Sequence, residues 1–112
     1  MKIESFVTNK VMVIRPRENR LDASITADFK SKLAEFVDNG SVNLVINLSG
    51  VDLIDSSGLG VLVSVLKVIG TSGEIKLCEL MKNVGAVFEV TRLNKIFAIY
   101  DSEKEALDSF NS

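Results

Sequence analysis

Leu44-Val45-Ile46-Asn47-Leu48 is a nearly continuous apolar run. A strand with one wet face alternates apolar and polar residues, so such a run predicts a strand covered on both faces. The segments around it supply helices to cover it. Upstream, Ile25, Phe29, Leu33, Phe36 and Val37 recur at three- and four-residue spacing and form one apolar helix face. Ser24 is placed to cap that helix, Asp28 favours its positive end, and Asn39-Gly40 supplies the stop. Downstream, a second helix is expected from about Ser57 to Ile69, ending at Gly70. Glu74 to Cys78 then reads as a strand, Lys82 to Thr91 as a helix and Ile96 to Tyr100 as a strand. A last helix opens at Ser102, where Ser102-Glu103-Lys104-Glu105 has capping-box spacing. Ahead of all this, Ile3 to Val7 and Val11 to Arg15 flank Thr8-Asn9-Lys10 as a hairpin, and Pro16 ends its second strand. The order β-β-α-β-α-β-α-β-α predicts an α/β fold with a mixed, largely parallel sheet. No repeat or linker divides the chain, so residues 1–112 read as a single domain.

Composition removes several classes of function. A net charge of −2 and a pI near 5.1, with no basic cluster, argue against nucleic acid as a partner. The longest apolar stretch, Leu59 to Ile69, is broken by Ser64 and Lys67 and falls short of the roughly 20 residues of a membrane span. No secretory leader is visible and Cys78 has no second cysteine to pair with, so the expected location is the cytoplasm. With no histidine, neither a Ser-His-Asp arrangement nor the usual zinc sets can form. A carboxylate-only magnesium site stays open, but the chain is expected not to be an enzyme and to need no metal or cofactor.

One segment concentrates small and polar residues: Asp55-Ser56-Ser57-Gly58-Leu59-Gly60, at a strand-to-helix turn. Backbone N–H groups at a helix start lack intrahelical partners and favour an anion, such as a phosphate carried by Ser56. Gly58 and Gly60 leave room for another backbone to approach. The same residues also read as a plain turn, with Asp55 or Ser56 capping the helix. The segment fits neither G-x-G-x-x-G nor a P-loop nor G-x-S-x-G. Along the second helix, Leu59, Leu62, Val63, Leu66 and Ile69 make the expected core face, while Gly60, Ser64 and Lys67 form a small or polar stripe. Val61, Val65 and Val68 lie between the two, either on a partner surface or against a neighbouring helix. Cys78 reads as a packing residue, and Glu103 and Glu105 as the exposed start of the last helix.

Asp55-Ser56-Ser57-Gly58-Leu59-Gly60, preceded by Leu44 to Leu48, by Leu53-Ile54 and by Leu21-Asp22, resembles the signature of STAS-domain anti-sigma factor antagonists. The resemblance extends over essentially the whole chain. It implies the STAS fold, a mixed sheet with helices largely on one side. It also implies a phosphorylation site at Ser56 and a partner surface of Asp22, Asp55, Ser57, Gly58, Leu59 and Gly60, and the position of Val61 and Val65 on the second helix extends that expected surface to them. The implied partner is an anti-sigma factor that is also a serine kinase, bound by the unphosphorylated protein so that a sigma factor is freed. A phosphatase would reset Ser56. Asn19 stands where relatives often have glycine, a position expected to have positive φ. Arg20 falls at a variable position. The alternatives are a STAS docking subunit of a transporter, or a partner switch acting on secretion or another output.

Overall fold

The computed structural model describes residues 1–111. Strand β1 (Ile3–Thr8) turns through Asn9 and Lys10, both at positive φ, into β2 (Val11–Pro16). The tight hairpin asks for left-handed residues at both central positions, and this pair supplies them. β2 then runs parallel to β4 (Asn43–Asn47), β4 to β6 (Glu74–Cys78), and β6 to β7 (Ala98–Tyr100). The five strands lie in the order β1-β2-β4-β6-β7, with only the β1–β2 pair antiparallel. A separate two-stranded ribbon joins β3 (Arg20–Leu21) to β5 (Leu53–Ile54) in parallel.

Side-chain alternation along the strands explains the apolar runs. Ile14, Leu44, Ile46, Ile75 and Leu77 enter one core with residues of α1 (Thr26–Asp38), α2 (Ser56–Ile69) and α3 (Lys82–Val90). Val11, Val13, Val45 and Cys78 point to the opposite face, where Ala106, Leu107 and Phe110 from α4 (Glu103–Asp108) and the 3-10 turn after it cover them. Three helices therefore lie on one side and a short one on the other. Cys78 is fully buried, and burial pushes its thiol up to about 12, so it is a packing residue.

Four local expectations need correction. α1 starts at Thr26 and its cap position, Ile25, offers no side-chain bond, because the Ser24 hydroxyl is spent on Asp22 Oδ1 at 2.5 Å. Asn19 is not among the positive-φ residues; its carbonyl accepts from Asp52 and Leu53 N–H and so ties the ribbon together. β7 begins at Ala98, not Ile96. A 3-10 turn over Leu93–Lys95 comes first, and Phe97 packs edge-on against Phe88 with centroids 6.1 Å apart. Glu103 is not an exposed cap residue. Ser102 does cap α4 through Glu105 N–H, but the Glu103 carboxylate is half-buried, accepting from Arg15 at 2.6 and 2.9 Å and from Asn47 at 3.0 Å. That network pins α4 to the sheet.

Candidate functional site: the β5–α2 turn

The Asp55-Ser56-Ser57 turn sits where β5 feeds α2. Asp55 has extended backbone and occupies the N-cap. Its Oδ1 accepts from Ser57 N–H at 2.9 Å, Gly58 N–H at 3.1 Å and the Ser57 hydroxyl at 2.5 Å. Its Oδ2 accepts from Ala23 N–H at 3.2 Å, across the ribbon. One carboxylate thus starts α2 and staples it to the β3–α1 connection. The Ser57 hydroxyl and then the Gly58 N–H hold the Asp55 carboxyl below its ordinary value, so it is ionised at neutral pH.

Asp22 comes from the neighbouring strand end. Its carbonyl accepts from Ile25 and Thr26 N–H, and its Oδ1 accepts from Ser24 N–H at 3.1 Å. The Ser24 hydroxyl lowers its carboxyl from the ordinary value, and Arg20 adds to this, while the charge on Asp55 opposes it. Two ionised carboxylates therefore flank one turn. Ser56, at the first position of α2, is exposed, and its hydroxyl has no partner among the described residues. Ser57 is the reverse case: half-buried, with its hydroxyl committed to Asp55.

This geometry changes the expected roles of several residues. The helix-start donors at Ser57 and Gly58 are already taken by Asp55, so they do not await an external anion. Gly58 is buried and serves the fold itself: a Cβ there would lie 2.4 Å from the Leu21 carbonyl oxygen and 2.9 Å from Ile54 Cγ1. Gly60 faces open space, with nothing within 4 Å of a Cβ.

Leu59, Val61 and Val65 are core residues with exposures of 6%, 6% and 4%, a correction for Val61 and Val65 in particular. α1 lies against that side of α2, as the cleft shared by Lys30, Ala34, Val37, Ser64 and Val65 shows, so α2 is buried on two flanks. Val63 and Leu66, placed on the core face by periodicity, are only partly buried, and Val68 is 70% exposed. The turn holds two contacts that the sequence did not reveal. One is Ala23 N–H on Asp55; the other is the Asn83 amide on the Asp52 carbonyl, which fixes the start of α3 to β5. Both depend on the two-residue ribbon, which is too short to leave a periodic signal.

Comparison with known proteins adds to this picture. The STAS domain family profile matches residues 2–106. BtrV of Bordetella bronchiseptica, which carries an anti-sigma factor antagonist name, is 31% identical over 102 residues, covering 90% of this chain and 88% of that protein. A Thermotoga maritima crystal structure of a protein named in the same class superposes with a TM-score of 0.91 at 31% identity, covering 98% and 95% of the two chains. At 21% identity the fold is shared with SpoIIAA in its unphosphorylated form, TM-score 0.74, covering 99% of both chains. The Bacillus SpoIIAA structure in the phosphorylated form gives 0.72 at 21% identity, covering 97% of this chain and 99% of that one. No helix among the described residues is long and apolar enough to cross a membrane.

Proposed function

The chain belongs to the STAS domain family, among its anti-sigma factor antagonists, and from that membership we propose that it is the phosphorylatable half of a partner switch. In its unphosphorylated form it binds an anti-sigma factor that is also a serine kinase, and so frees a sigma factor. The observation that carries this reading is the contrast between two adjacent hydroxyls. Ser56 is exposed and unbonded, whereas Ser57 is tied to Asp55. The existence of SpoIIAA in both phosphorylated and unphosphorylated forms supports the same reading.

The protein itself contributes only a nucleophile and a surface. Ser56 Oγ attacks the γ-phosphorus of ATP held by the kinase, its proton passes to a base of the kinase, and ADP departs. The ester adds about −1.5 to −2 charges and three acceptor oxygens. Asp22 and Asp55 are both ionised beside it, so the turn becomes strongly anionic as well as bulkier. An interface formed around small residues, with Gly60 open, loses its fit and pays desolvation for the new charge. A phosphatase restores the serine by hydrolysis.

The test is phosphopeptide mapping by mass spectrometry after incubation with the cognate kinase, Mg²⁺ and ATP. Label is expected on Ser56 alone, lost in Ser56→Ala and kept in Ser57→Ala. Label on Ser57 of the parent protein, or none at all, overturns the proposal.

A further inference from the structure

A phosphate on Ser56 needs donors, and at this helix start only the N–H of Ser56 itself is without a partner among the described residues. Asp55 Oδ1 holds both Ser57 N–H and Gly58 N–H, and its Oδ2 holds Ala23 N–H. Displacing the N-cap carboxylate would unfasten α2 from the β3–α1 connection. The cation in contact with Asp22 is Arg20. Register places it opposite Leu53, three residues before Ser56, in a strand parallel to β5. Its side chain runs forward along β3, toward the end of the ribbon where Ser56 sits, since Nε lies 3.5 Å from Asp22 Oδ2. That pair is long and made through a single nitrogen; the side chain is 60% exposed, and its two terminal nitrogens have no partner among the described residues. Neighbouring strands are about 4.8 Å apart and residues advance about 3.3 Å along them, which puts Ser56 about 11 Å from Arg20 in Cα positions, a gap that an extended arginine and a phosphate on the serine can close together.

We propose that Arg20 is the phosphate ligand of the modified state: on phosphorylation of Ser56 its guanidinium turns from Asp22 to the phosphoserine oxygens. The inference rests on Ser56 being the acceptor. Guanidinium geometry matches phosphate by two parallel N–H···O bonds, a stronger arrangement than the single 3.5 Å contact to Asp22. The exchange has two consequences. It holds the phosphate in one orientation beside the turn, and it leaves Asp22 without its cation. Phosphorylation therefore alters the surface at β3 as well as at α2, with no rearrangement of the Asp55 cap.

The experiment places phosphoserine at position 56 biosynthetically, so its outcome does not depend on any kinase, and follows the second phosphate ionisation by ³¹P NMR. Of the charged groups on the elements that meet this turn, Asp22, Asp55 and Asp52 raise that pKa, while Arg20 and Lys82, at the start of α3, lower it. In Arg20→Gln the pKa is expected to rise by about half a unit, the size of a partly exposed guanidinium–phosphate contact. Arg20→Lys keeps the charge without the fork and is expected to fall between the two. Lys67→Gln removes one charge eleven residues along α2, about 16 Å from Ser56, and is expected to leave the pKa unchanged. An Arg20→Gln value equal to that of the parent, or a Lys67→Gln shift of equal size, overturns the inference. A kinase that never labels Ser56 would sink the functional reading while leaving this titration intact.

Discussion

Replacing Gly58 and Gly60 by alanine should move stability in opposite directions, although both glycines lie in the first turns of the same helix. At Gly58 a Cβ would sit 2.4 Å from the Leu21 carbonyl oxygen, 2.9 Å from Ile54 Cγ1 and 3.1 Å from Leu21 Cβ. The first of these is backbone, and it is the same carbonyl that accepts Asp55 N–H at 3.3 Å. It cannot yield without disturbing the β3–β5 ribbon and the Asp55 bond to Ala23. Overpacking of this kind costs about 1–3 kcal/mol, set against a gain of at most about 1 kcal/mol from better helix propensity. The net expectation for Gly58→Ala is a loss of about 1–2 kcal/mol, or a Tm lower by roughly 4–8 °C for a domain of this size. At Gly60 a Cβ meets nothing within 4 Å, so only the propensity gain remains, about 0.5–1 kcal/mol of added stability. Urea unfolding at constant m-value measures both. A Gly58→Ala protein as stable as the parent, or two variants shifting in the same direction, would refute the packing argument. Gly60→Ala also bears on function: a more stable variant that binds its partner less well would mark Gly60 as interface.

Val65→Asp should destabilise by about 3 kcal/mol or more, because it buries a charge between α1 and α2, whereas Val68→Asp one turn on should stay within about 0.5 kcal/mol of the parent. Equal and small effects in chemical denaturation would return Val65 to the surface. The Glu103 carboxyl is held below its ordinary value of 4.5, chiefly by Arg15, so the native state keeps the carboxylate where the unfolded chain takes up a proton. The stability it adds is complete above the unfolded value and is lost as pH falls through the lower folded one. Glu103→Gln should therefore show a shallower loss of stability than the parent from about pH 5 downward, in urea midpoints taken across that range. Identical acid limbs would count against this.

The main sheet was legible because each strand carries its own local signal. Leu44–Leu48 is apolar on both faces since helices cover both, and Asn9-Lys10 supplies the left-handed pair that the hairpin needs. The α2 start was legible for the same reason, since capping by Asp55 reaches only to Ser57 and Gly58. What escaped depends on residues distant in sequence. The β3–β5 ribbon has two residues per strand, too few for any period. Ser24 has the right chemistry for a cap, but Asp22, two residues earlier, takes its hydroxyl. Glu103 looked like a solvated helix start because its partner, Arg15, lies 88 residues away. Helical periodicity gave α2 one buried arc; it could not show that α1 closes over a second, where Val61 and Val65 lie.

The most direct test of the central claim is the affinity of the cognate anti-sigma kinase for this protein with Ser56 free and with Ser56 fully phosphorylated, measured by titration calorimetry at one ionic strength. Phosphorylation is expected to weaken binding at least about tenfold, a change of about 1.4 kcal/mol or more, while Ser56→Ala binds like the unmodified protein. Undiminished binding by the fully phosphorylated protein would contradict the account.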